Sequence, residues 1–99
     1  MILEEFNTLC RKDQFPAGLS RLLEALWYDA RGDWHTAHRI VQEIPEQDCS
    51  WIHAYLHRQE GDLANAVYWY SRAGRSKPDI AVQDEWNQIV SALLLKFSK

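Results

Sequence analysis

Two Gly-Asp pairs, 29 residues apart, constrain the fold of this chain more than any other feature. Gly32-Asp33 and Gly61-Asp62 each separate two stretches whose apolar residues recur at helical spacing. Residues 22–45 can be laid over residues 51–74, and small residues then coincide: Ala25 with Ala54, and Ala37 with Ala66. Small residues let two helices approach closely, and each hairpin leaves an apolar face that only a neighbour can cover. The repeat therefore predicts two stacked helical hairpins.

The remaining segments also have helical spacing, and none shows the alternation typical of a strand. We predict an all-α fold of about six helices in one domain, residues 1–99. The expected helices are 2–12, 19–31, 34–43, 51–60, 63–73 and 80–97. Repeat one would span about 19–45 and repeat two about 50–78, with capping helices at both ends, the C-terminal one at about 80–97.

Side chains that can cap helices stand before four of these segments. We expect Asp33 and Asp62 to cap the second helix of each hairpin. Ser50 or Asp48 is expected to cap the fourth helix, and Asp79 the last one.

The second copy carries residues that resemble the tetratricopeptide repeat family: Ala54, Gly61-Asp62, Ala66, Tyr70, Ala73 and Pro78. The first copy keeps Ala25, Tyr28, Gly32-Asp33, Ala37 and Val41. The run HAYLHRQEGDLANAVYWYSRAGR also resembles small repeat-like proteins to which no activity is attached. The resemblance implies a stack of antiparallel helix hairpins that binds a protein or peptide. Two departures change the packing: the offset is 29 residues rather than the family's 34, and His53 and His57 replace large apolar residues.

Composition and charge exclude several classes of function. A net charge of −3 does not suit a nucleic-acid binder that neutralises phosphates. No segment approaches the length of apolar residues needed to span a membrane, and the acidic N-terminus does not resemble an export signal. Cys10 and Cys49 form no CxxC pair, which favours free thiols in a cytoplasmic protein. We find no catalytic motif and assign neither enzyme activity nor a cofactor.

His53 and His57 lie four residues apart, so both imidazoles project from one side of a helix, as two ligands of a zinc site do. A third ligand would be needed, and the candidates are His38, His35 and Cys49. The alternative is that both histidines are half-buried packing residues, and we therefore assign no metal ligand from the sequence.

The leading hypothesis is a protein- or peptide-binding module. The expected binding residues are His53, His57, Arg58, Trp69 and Arg72, with Trp51 and Tyr55 as aromatic contacts. The alternative is that Trp51 and Trp69 fill the core. The aromatic and arginine side chains between Tyr68 and Arg75 could bind a carboxylate or a phosphate. The alternative is that Arg72 and Arg75 only lie near a helix C-terminus, where cations are favoured. The other hypotheses are a histidine-centred metal or small-ligand protein, and a homo-oligomer paired through Leu93–Leu95 and Phe97.

Overall fold

The computed structural model describes residues 1–97 and contains six helices in that range. They are α1 (Leu3–Leu9), α2 (Arg21–Ala30), α3 (Trp34–Gln42), α4 (Gln47–Gln59), α5 (Leu63–Arg72) and α6 (Val82–Lys96). No strand occurs in the described residues, which confirms the all-α prediction.

The two hairpins, α2–α3 and α4–α5, end their first helix in the same way. In the first, Asp33 N–H donates to the Tyr28 carbonyl and Gly32 N–H to the Asp29 carbonyl. In the second, Asp62 N–H and Gly61 N–H make the equivalent bonds, to the His57 and Arg58 carbonyls. This pair of bonds is the Schellman motif, which needs a left-handed backbone after the helix. Gly32 and Gly61 supply it with φ of 84° and 89°.

Both expected hairpin caps are confirmed. The Asp33 carboxylate accepts from the Thr36 N–H at 3.1 Å, and the Asp62 carboxylate accepts from the Asn65 N–H at 3.3 Å. These bonds satisfy two N–H groups that a helix leaves free at its start.

The expected caps of the other two helices are wrong. Helix α4 begins at Gln47, after Glu46 rather than after Asp48 or Ser50, and α6 follows Ala81 rather than Asp79. Neither Glu46 nor Ala81 makes a side-chain cap bond. Nothing after Pro45 interrupts helical geometry, so α4 starts about one turn earlier than expected.

Helix α4 lies at the centre of the molecule and packs against α2, α3, α5 and α6. Helix α6 packs against α4, α2 and α1. Its Leu93 and Leu94 are buried, whereas Leu95 and Phe97 are exposed. The outer face of α5 stays uncovered, since Leu63, Val67 and Tyr68 are each about half exposed. The prediction of a homo-oligomer stays a prediction.

A buried carboxylate joins α4, α5 and α6. Glu85 on α6 is fully buried and accepts a bond from the Tyr70 hydroxyl at 2.7 Å and one from Arg58 at 2.8 Å. Trp51 donates its indole N–H to the same carboxylate at 3.2 Å. A buried charge is tolerated only when it is paired and hydrogen-bonded, and Glu85 meets both conditions.

The cysteines and the lengths of the helices were both addressed by the sequence. Cys10 and Cys49 are free thiols, as predicted. Every helix in residues 1–97 is too short or too polar to cross a membrane.

Candidate histidine centre

Three histidines from two helices meet beside α4. His53 and His57 lie one turn apart on α4, and His38 reaches them from α3. One ring nitrogen from each residue can be chosen so that all three lie within 4.8 Å of one another. The Nε2 atoms of His53 and His38 are 2.9 Å apart. We refer to His38, His53 and His57 as the trihistidine cluster.

Two tryptophans hold the rings of the cluster in place. Trp69 stacks on His53 with ring centroids 3.9 Å apart, and Trp34 stacks on His38 at 4.8 Å. Trp34 is itself anchored, because its indole N–H donates to the Leu56 carbonyl at 2.8 Å. The imidazoles are therefore oriented by packing, and a functional constellation needs this kind of support.

Two of the three rings, those of His38 and His53, favour the neutral form. Burial, and then the neighbouring His38 and His57, lower the pKa of His53 from 6.5 to about 3. Burial also lowers the pKa of His38, and the nearby His57 adds to the effect. A neutral imidazole keeps a lone pair, which is the form that binds a metal ion.

Glu60 orients the third ring. The Nδ1 of His57 donates to the Glu60 carboxylate at 2.7 Å, which leaves Nε2 of His57 as the nitrogen available to a ligand. A carboxylate behind a metal-bound histidine fixes its tautomer and raises its basicity. A second group, formed by His57, Glu60 and Asp62, also brings three potential ligand atoms within 4.8 Å, but both of its acids are exposed.

A cavity of about 320 Å³ adjoins the cluster, and His53 forms part of its wall. Trp69 and Arg72 of α5 line it together with residues from α3, α4 and the loop between them. Arg72 is exposed, and its guanidinium lies 5.6 Å from the centroid of the Trp69 ring. A ligand in this cavity would therefore meet an imidazole, an aromatic ring and a cation.

The structure brings together four of the seven predicted binding residues: His53, His57, Trp69 and Arg72. The other three serve buried networks instead. Arg58 and Trp51 bind Glu85, and the buried Tyr55 donates its hydroxyl to Asp29 at 2.9 Å.

Among the candidates for a third ligand, the structure places only His38 in the cluster. His35 is exposed, and neither His35 nor Cys49 belongs to a candidate metal group in the described residues. The sequence interpretation overlooked the buried acids Glu85 and Asp29. Glu85 could have been found, because it lies between Val82 and Ile89 at helical spacing and so belongs to the apolar stripe.

Comparison of the chain with protein-family models, with curated proteins and with solved structures gave no significant match.

Proposed function

We propose that this protein binds a divalent transition-metal ion, Zn²⁺ in the first instance, through His38, His53 and His57. The observation that carries the proposal is the convergence of three imidazole nitrogens within 4.8 Å. Imidazole nitrogen is a preferred ligand of Zn²⁺, Cu²⁺ and Ni²⁺, and three protein ligands with one open position are typical of a reactive or exchangeable zinc site.

The distance between the His38 and His53 nitrogens requires only a small adjustment. Two nitrogens bound tetrahedrally to one zinc ion, each at about 2.0–2.1 Å, are about 3.3 Å apart. The His38 and His53 nitrogens are 2.9 Å apart, so the pair must open by about 0.4 Å. The His38–His53 contact needs one N–H and one lone pair, so one of the two rings carries its proton on Nε2. A metal ion bound to both Nε2 atoms would require that ring to carry its proton on Nδ1 instead, which changes its tautomer and releases no net proton from neutral imidazoles.

The test is calorimetric titration of metal-free protein with zinc chloride. We expect one equivalent to bind the wild type, and expect His53→Ala or His57→Ala to weaken binding by more than about 100-fold, because each removes a direct ligand. His35→Ala is the matched control, since it removes an exposed histidine of α3 that lies outside the cluster. Circular dichroism of each variant separates a lost site from a lost fold.

Glu60→Gln gives a second, independent readout. Loss of the carboxylate behind His57 should weaken zinc binding by about 10–100-fold while leaving all three ligands in place. Equal zinc affinity in the wild type and His53→Ala, or no stoichiometric binding by the wild type, would overturn the proposal.

Recognition of a protein or peptide is a second candidate function, and the cavity beside His53 favours it. Arg72 forms no ion pair in the described residues, so its guanidinium is available to a carboxylate. The tetratricopeptide-like repeat also supports this function, as a proposal. A partner captured from the native host should be lost with Arg72→Ala and retained with Arg39→Ala, an exposed arginine of α3. Equal retention by both variants would count against this candidate.

A further inference from the structure

A second cavity, of about 260 Å³, lies between α1, α2, α4 and α6. Tyr55 and Gln59 of α4 line it, and they point away from the helix face that carries His53 and His57, because residues two apart lie on opposite sides of a helix. The cavity is therefore separate from the trihistidine cluster. Its other walls include Asn7, Asp29, Gln83 and Trp86.

Asp29 is the unusual residue of this cavity. Asp29 is only 7% exposed, and no cationic side chain among residues 1–97 forms an ion pair with it. The Tyr55 hydroxyl donates to one carboxylate oxygen at 2.9 Å, and the Gln59 amide also lies within reach. Burial raises the pKa of Asp29, because the charged carboxylate loses solvation and no cation compensates it.

The arginine nearest to Asp29 in the sequence, Arg31, makes its contacts outside the cavity. Arg31 donates to the carbonyls of Cys10 and Lys12 and lies over the Trp27 ring at 4.6 Å. Its guanidinium does not line the cavity. The charge of Asp29 therefore remains available to a cation that enters from outside.

Two neighbouring side chains are already partly bonded. Gln83 donates one of its two amide N–H groups to Asn87 at 3.2 Å, and its carbonyl oxygen accepts no hydrogen bond within residues 1–97. Trp86 donates its indole N–H to the Leu26 carbonyl at 3.3 Å and contributes only its ring surface. A ligand that donates hydrogen bonds and carries positive charge complements an acidic group, a free amide oxygen and an aromatic ring.

We propose that this cavity binds a small organic ammonium ion, with the Asp29 carboxylate as its counter-ion and the Tyr55 and Trp86 rings as its apolar walls. The size of the cavity favours an organic cation over a bare metal ion, since one water occupies about 30 Å³ in the liquid and the cavity is several times larger. Gln59 and Gln83 are exposed and stand at the rim, where a ligand would enter.

The experiment is an NMR titration of the wild-type protein with propylammonium chloride, followed through the indole N–H of Trp86. We expect a saturable shift of this signal. The same titration with 1-propanol, which has the same chain and no charge, should bind at least about 10-fold more weakly, and potassium chloride at matched ionic strength should give no saturable shift.

Two variants complete the test. Asp29→Asn should weaken propylammonium binding by at least about 10-fold, whereas Asp84→Asn, which removes an exposed acid of α6, should leave it unchanged. No saturable Trp86 shift, equal binding of propanol, or equal binding by Asp29→Asn would each overturn the proposal. If Asp29→Asn does not fold, the contrast between propylammonium and propanol in the wild type decides the question.

Discussion

Replacing Glu85 by alanine is predicted to destabilise the protein by about 3–5 kcal/mol, the cost of leaving one partner of a buried ion pair without the other. The substitution would strand three donors at once. Arg58 lies 2.8 Å from the carboxylate, and its side chain is only 10% exposed. The Tyr70 hydroxyl and the Trp51 indole N–H would also lose their acceptor. The free energy of unfolding of a domain of this size is about 5–15 kcal/mol, so the loss is a large share of its stability.

Other substitutions separate the contribution of the Glu85 charge from that of its hydrogen bonds. Glu85→Gln keeps the shape and one acceptor oxygen, and removes the charge opposite Arg58. We expect it to cost about 1.5–3 kcal/mol, the usual contribution of a hydrogen bond to a charged group. Replacing both charges, with Arg58→Met and Glu85→Leu together, should cost less than Glu85→Ala alone, because no buried charge is left unpaired.

Urea denaturation followed by circular dichroism at neutral pH measures these differences. The matched control is Glu24→Ala, because Glu24 pairs with the exposed Arg21 at 2.6 Å on the surface of α2. Exposed pairs contribute less than about 1 kcal/mol. If Glu85→Ala cost no more than Glu24→Ala, the role assigned to the buried carboxylate would be refuted.

Two further predictions concern the hairpin turn and a buried thiol. Gly61→Ala should cost about 1–3 kcal/mol in urea denaturation, because its φ of 89° strains any side chain although no atom lies within 4 Å of the added Cβ. Gly61→Asn should cost less, since asparagine tolerates this region, and equal neutrality of both would contradict the assignment. Burial raises the pKa of Cys49 to about 12, so at pH 8 the thiol should react with Ellman's reagent far more slowly in native protein than in urea; equal rates would contradict its burial.

The parts of the fold that the sequence predicted are those governed by neighbouring residues. Gly32 and Gly61 supply turns that need positive φ, and Asp33 and Asp62 cap the helices that follow. Helix α4 was placed about one turn too late because its first residue follows Glu46, which makes no side-chain cap bond and so leaves no signal to read.

In the candidate site, too, local spacing predicted some features, and long-range packing decided the others. His53 and His57 share a side of α4 through helical spacing, and His38 reaches them from the neighbouring helix, as the antiparallel hairpins suggested. The bonds that Trp51 and Arg58 donate to Glu85 could not be predicted, because that partner lies 34 and 27 residues further along the chain. Pairing over such distances depends on how α6 docks, and local spacing does not specify that packing.

Anomalous diffraction from crystals grown with zinc tests the proposed metal site most directly. We expect a zinc peak about 2.0–2.1 Å from one nitrogen of each of His38, His53 and His57. A zinc ion bound instead by His57 with Glu60 and Asp62, or ordered histidines with no zinc between them, would contradict it.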